Sequence, residues 1–165
     1  MDFNQILNSG KFRNDFGNLG SYYEFIVPSD FLGEEVILKG FNLPRNKHGV
    51  EWDQFAKVVK SVVAYSPIED SSVKSAVFEH YHTAISETSF GFVEYSQEST
   101  ILDSNQNHFK IENEEEAMKQ LKLQEVFTDM SFTDFIYFNL VYHCPWEPEH
   151  GLKLGIMNGE FDSIY

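Results

Sequence analysis

The sequence predicts an α+β fold. An antiparallel sheet carries an N-terminal hairpin and a C-terminal three-stranded meander, with helices packed on one side, in one domain over residues 1–165. Three observations predict it. Asn158-Gly159 is a strong short hairpin signal, because a type I′ turn needs positive φ at both central residues. With that two-residue turn, Ile156 faces Phe161, Leu154 faces Ser163 and Leu152 faces Tyr165, all on one mostly apolar face. Lys153, Gly155, Glu160 and Asp162 take the other face, which suits water. Second, Ile136, Phe138, Leu140, Tyr142 and Cys144 alternate with their neighbours, as one buried face of a strand requires. Third, Trp52, Phe55, Val58, Val59, Val62 and Val63 fall on one helical stripe.

Taken in order, Phe3, Ile6 and Leu7 suit one short helical turn, and Gly10, Gly17 and Gly20 break up the segment after it. Tyr22–Val27 is rich in β-formers. Pro28, Ser29, Asp30 and Gly33 supply turn chemistry, and Glu35–Phe41 returns as a strand. Residues 42–50 read as a loop. The Trp52 helix is valine-rich, so packing must hold it, and Pro67 marks its end. A second helix comes next, capped by Ser71 or Ser72, with Val73, Ala76, Val77, Tyr81 and Ala84 as its stripe. The short connection makes the two helices antiparallel neighbours. Phe90–Tyr95 reads as a short strand, and residues 96–113 as a polar excursion. Asn113 before Glu114, Glu115 and Glu116 is a helix start, with three acids meeting the positive end of the helix dipole. That helix reaches Leu121 or Leu123, and Leu123–Thr128 leads as a strand into the meander.

Composition narrows the function. A chain of 165 residues with sixteen Phe, eight Tyr and two Trp can build a large aromatic core. A net charge of −14 argues against nucleic acid or anionic membrane as partner and favours a basic one. The single cysteine, Cys144, allows no internal disulfide and fits a reducing cytoplasm. The N-terminal stretch has no basic region and no long apolar core of the kind a signal peptide needs. No run reaches the roughly 18 apolar residues of a membrane span.

The densest functional cluster is His143-Cys144-Pro145-Trp146-Glu147-Pro148-Glu149-His150, expected as a polar loop between two strands. His143, Glu149 and His150 are the candidate metal ligands, since zinc accepts imidazole and carboxylate. Their spacing matches no common structural zinc site, and no cofactor is expected. His143 and Cys144, adjacent on a strand, point to opposite faces. In the structural reading Trp146 folds over the sheet as an apolar lid. In the binding reading Trp146, Glu147, Glu149 and His150 form an exposed contact site. His80 and His82 are two apart on a helix and cannot share one ion. H-E-x-x-H, the P-loop, G-x-G-x-x-G after a strand, G-x-S-x-G and C-x-x-C are absent, which points away from an enzyme.

W-E-P-E-H-G-L followed by a strand and N-G resembles a motif of uncharacterised bacterial domains, whose C-terminal strands carry W-[DE]-x-E-H-G-[LI]. The matching positions are Trp146, Glu147, Glu149, His150, Gly151, Leu152, Asn158 and Gly159. The resemblance implies a small cytosolic protein without assigned catalysis, some members being similar to toxin-immunity proteins. The leading expectation is therefore a cytoplasmic binding protein, of immunity type, that neutralises a basic toxin through an acidic surface. The candidate contacts are Trp146, Glu147 and Glu149, then Glu114, Glu115 and Glu116. The alternatives are a metal- or small-molecule-binding module or hydrolase built on the His143–His150 loop, and an assembly subunit that pairs through exposed strand edges.

Overall fold

The computed structural model describes residues 3–14, 20–29, 31–92, 100–131 and 134–165. The chain runs α1 (Phe3–Ser9), β1 (Lys11–Asn14), β2 (Ser21–Ser29), β3 (Gly33–Phe41), α2 (Val50–Ala64), α3 (Ser71–Glu87), α4 (Ile101–Phe109), α5 (Glu114–Gln120), β4 (Lys122–Asp129), β5 (Tyr137–Cys144), β6 (Glu147–Met157) and β7 (Glu160–Ile164). The strands form one sheet in sequence order, β1 to β7. The α+β class, the N-terminal hairpin β2–β3 and the C-terminal meander β5–β6–β7 match the expectation, and the helices lie on one side. One pairing does not: β3 and β4 run parallel, with Leu38 opposite Val126 and Phe41 opposite Asp129. Between β3 and β4 the chain passes through four helices among the described residues and returns to the end of the sheet where β3 began. A long helical crossover of this kind is what allows parallel neighbours.

Alternation sets the inner face. Phe25, Val27, Leu38, Val126, Phe138, Leu140, Leu152, Leu154 and Ile156 are fully buried there. The α2 stripe meets them with Trp52, Phe55, Val58, Val59 and Val62, while Val63 is only partly covered. Phe25 and Phe55 rings lie 4.7 Å apart, and Trp52 packs edge-on to Tyr23 at 5.3 Å. Helix α3 buries Val73, Val77, Tyr81 and Ile85. Its cap is Asp70, not Ser71 or Ser72. The Asp70 carboxylate accepts from the Ser72 and Val73 amides at 3.0 and 3.4 Å and from the Tyr65 hydroxyl at 2.9 Å. That third bond ties the end of α2 to the start of α3. A serine cap would lack this reach, and the carboxylate also suits the helix dipole.

Residues 100–109 are helical, where a polar excursion was expected. Thr100 and Asp103 form a reciprocal capping box: Asp103 N–H donates to the Thr100 hydroxyl at 3.1 Å, and Thr100 N–H to the Asp103 carboxylate at 2.9 Å. Asn105 is buried and donates to the Ile85 and Thr88 carbonyls at 2.7 and 2.8 Å. It thereby satisfies the open C-terminal carbonyls of α3. Phe90–Phe92 makes no strand pairing, and the rest of that expected strand lies outside the described residues, as do Gly17 and Asp30. Asn113 caps α5 through the Glu116 amide at 3.0 Å. The Glu116 side chain accepts from the Glu112 amide at 2.8 Å, one residue before the cap.

At the C-terminus Asn158 and Gly159 hold φ of 54° and 88°, the left-handed pair of a type I′ turn. Ile156 faces Phe161 as expected. Beyond it a bulge at Asp162 shifts the register by one, so Leu154 faces Ile164 and Lys153 exchanges both backbone bonds with Tyr165. The bulge keeps Phe161 and Ile164 against the core and turns Asp162 outward. Among the described residues no helix is long and apolar enough to cross a membrane.

Candidate functional site

The stretch Pro145–Gly151, expected as a polar loop between two strands, is instead a tight turn and a bulge. Cys144 pairs with Glu147, so only Pro145 and Trp146 form the turn. The next pair is Tyr142 with Leu152, which leaves Pro148, Glu149, His150 and Gly151 opposite His143 alone. Gly151 closes this excursion at φ +68°. A β-carbon there would fall on the Tyr142 carbonyl oxygen. The strand is thus continuous on its buried side and looped out on its polar side.

Trp146 lies in the core at 1% exposure, one of the largest fully buried side chains. Its ring packs edge-on to Tyr81 of α3 at 5.3 Å. This corrects the expectation of an exposed Trp146 contact: the apolar-lid reading is the one realised. Glu149 and His150 are exposed, and Glu147 is half-buried. His143 points away from buried Tyr142 and Cys144 and sits opposite Lys122 on the helix-free face. Among the described residues no group of three His, Cys, Asp or Glu side chains is placed to hold a metal ion. His143, Glu149 and His150 are therefore not grouped as a set of three ligands. Burial pushes the Cys144 thiol up to about 11, so it packs as a small hydrophobe.

The side chain that spacing did not bring forward is His80. Its Nδ1 accepts the Trp146 indole N–H at 3.2 Å. An acceptor Nδ1 leaves the ring proton on Nε2. Burial lowers the His80 pKa below its ordinary 6.5, and the nearby Glu147 carboxylate partly offsets this. Glu147 Oε1 lies 3.2 Å from His150 Nδ1. His80, Glu147, His150, Gly151, Lys153 and Tyr165 line an open cleft of about 320 Å³ between α3 and the start of β6. The His80 ring in this lining is held from behind by the Trp146 indole, and Tyr165 in it is exposed. Lys153 contributes its stem, since its ammonium stands over the Phe127 ring at 5.5 Å.

Residues 10–164 match the family described as a domain of unknown function (DUF6985). The chain belongs to that family. Neither a curated protein nor a solved structure matches it. Within this DUF6985 domain the match takes in the whole sheet and every residue of the cleft except Tyr165.

His80 gives the domain a defined acid response. Its folded pKa is depressed, so the unfolded chain binds the proton more readily. Stability is then fully present above about pH 6.5 and falls as pH drops through the folded pKa. Asp103, Glu115 and Asp129, whose pKa values are also lowered, act only further down, below the ordinary carboxylate range. We therefore expect the melting temperature of the wild type to drop between pH 6.5 and 5 more than that of His80→Gln. Parallel curves for the two proteins would show that His80 is not the responsive group.

Proposed function

We propose that this domain is a binding protein that presents an acidic surface to a basic protein partner, with neutralisation of a toxin in the manner of an immunity protein as the leading case. The partition of charge between the two layers carries the reading. Residues 50–120, which include α2 to α5, contain thirteen carboxylates and five lysines, eleven of the carboxylates in described residues. Lys74 pairs with Glu115 at 2.7 Å in this layer, which leaves the carboxylates far in excess. The helix-free face of the sheet is nearly balanced by contrast. Lys11, Arg13, Lys39, Lys122 and Lys153 share it with Glu24, Glu35, Glu125, Asp129, Glu160 and the outward Asp162. Lys39 pairs with Glu125, and Arg13 with Glu24, on that face. Residues 50–120 thus carry −8 of the net charge of −14, more than half of the excess.

Such a field steers a cationic partner and speeds encounter, and salt screens it. Capture by the tagged protein from its host should retain a basic protein at low salt and release it as salt rises. Replacing Glu114, Glu115 and Glu116 by Gln should slow association several-fold with a smaller change in dissociation. Capture that is equal at both salt levels, or an association rate blind to the triple replacement, would remove the electrostatic basis of the proposal.

The cleft beside His80 supports a small-molecule reading as the second choice, since it is concave and has polar groups converging on it. Pairing through sheet edges has less to work with. β1 is four residues long and carries Lys11 and Arg13, while β7 is interrupted by its bulge and carries Glu160 and Asp162. Short, charged and bulged edges resist strand addition.

A further inference from the structure

We infer that the cleft lined by His80, Glu147, His150 and Tyr165 is the anchor point for a guanidinium group, an arginine side chain of the basic partner. The inference rests on the binding reading above and names the site within it. Glu147 supplies the only side-chain carboxylate among the described residues that line the cleft. Its ion partner among the described residues is His150, whose side chain is 82% exposed and therefore readily displaced. His80 offers no competing cation. Its Nδ1 is occupied by the Trp146 N–H, and the ring is neutral near pH 7. Lys153 makes no ion pair with Glu147 among the described residues, and its ammonium stands over the Phe127 ring at 5.5 Å.

The cleft thus keeps one half-buried carboxylate without a permanent counter-ion. Tyr165, an aromatic residue 66% exposed, lines the same cleft. A carboxylate next to an open aromatic face suits a planar cation. The guanidinium fork donates to both carboxylate oxygens, and its flat face stacks on the ring. An ammonium satisfies the first contact as a point charge and lacks the second. A neutral urea of the same shape fails the charge.

The rigidity of the site favours this use. Glu147 is paired to Cys144 in the sheet, and the His80 ring is held by the buried Trp146 indole. An incoming side chain therefore meets a preformed acceptor, so little binding energy is lost to ordering.

The test is nuclear magnetic resonance of the full chain at pH 8, titrated with L-arginine amide and, separately, with L-citrulline amide, its neutral isostere. The Trp146 indole N–H, bonded to the lining residue His80, and the Gly151 amide report on the cleft. Arginine amide should shift both signals saturably, and citrulline amide should leave them in place. Glu147→Gln should weaken arginine amide about tenfold or more. An unchanged indole signal in that variant verifies its fold. Equal shifts with citrulline amide, no saturable shift at all, or an unaltered affinity in Glu147→Gln would overturn the inference. The two readings fail separately. Salt-sensitive capture of a basic protein that persists in Glu147→Gln keeps the acidic-surface proposal and removes the cleft as its anchor. Arginine amide that binds in the cleft while no basic protein is captured does the reverse.

Discussion

Trp146→Ala is expected to destabilise the domain by about 3–5 kcal/mol, the range for truncating a large buried aromatic. The ring is 1% exposed and packs edge-on to Tyr81, so its loss opens a cavity between β6 and α3. The hole cannot close easily, since Tyr81 and Cys144 beside it are fully buried and belong to different layers. A second cost adds to the first: His80 Nδ1 loses its donor in a half-buried place. For a domain of this size the melting temperature should fall by roughly 10 °C or more. Chemical denaturation is the cleaner measurement, with the midpoint lowered and the slope kept. Trp146→Phe separates the two contributions. It keeps an aromatic ring and loses the N–H, so it should cost much less than the alanine variant. An exposed contact residue would leave stability nearly untouched in both.

Gly151→Ala is expected to cost roughly 2–5 kcal/mol, for two reasons that add. A residue with a β-carbon at φ +68° pays about 1–2 kcal/mol for the left-handed conformation. Here the new methyl also falls on the Tyr142 carbonyl oxygen, a backbone atom within a paired strand. It cannot be relieved by a rotamer change, and overpacking of this kind costs about 1–3 kcal/mol more. Gly159→Ala is the internal control. Its φ is +88°, but nothing lies within 4 Å of the added carbon. It should show the conformational cost alone. Equal losses at the two glycines would mean that the excursion Pro148–Gly151 yields freely. The Gly151 variant should also disturb the cleft, because His150 lies within that excursion and Glu147 precedes it.

Much of the fold was legible because it is written in short-range patterns. The Asn158-Gly159 turn, the alternation of Phe138, Leu140 and Tyr142, and the stripe from Trp52 to Val62 each need only a few neighbours to be read. The helix over 101–109 had a signal too, Thr100 with Asp103 three residues on, but it was masked by the polarity of the stretch. That polarity has a reason: α4 buries Asn105, not a hydrophobe, to close the end of α3. The loop before β6 was misjudged for a related reason. Pro145, Pro148 and Gly151 all mark irregular backbone, yet the chain irregularity sits inside a strand pair, as a bulge, and not between strands.

The candidate site divides in the same way. The residue types from His143 to His150 and the large negative charge were fixed in advance by composition, as were the two helices and the terminal hairpin. Their grouping was not. His80 and Trp146 are far apart in the chain and meet only because α3 packs over the start of β6. That contact buries the indole and holds the imidazole neutral, and Glu147 is left facing an open cleft. The one-residue shift at Asp162 brings Tyr165 beside Lys153, and the helical crossover makes β3 and β4 parallel. Periodicity encodes which face of an element is apolar. Which two faces meet is decided by packing over the whole core, a sum over many weak contacts that no local pattern contains.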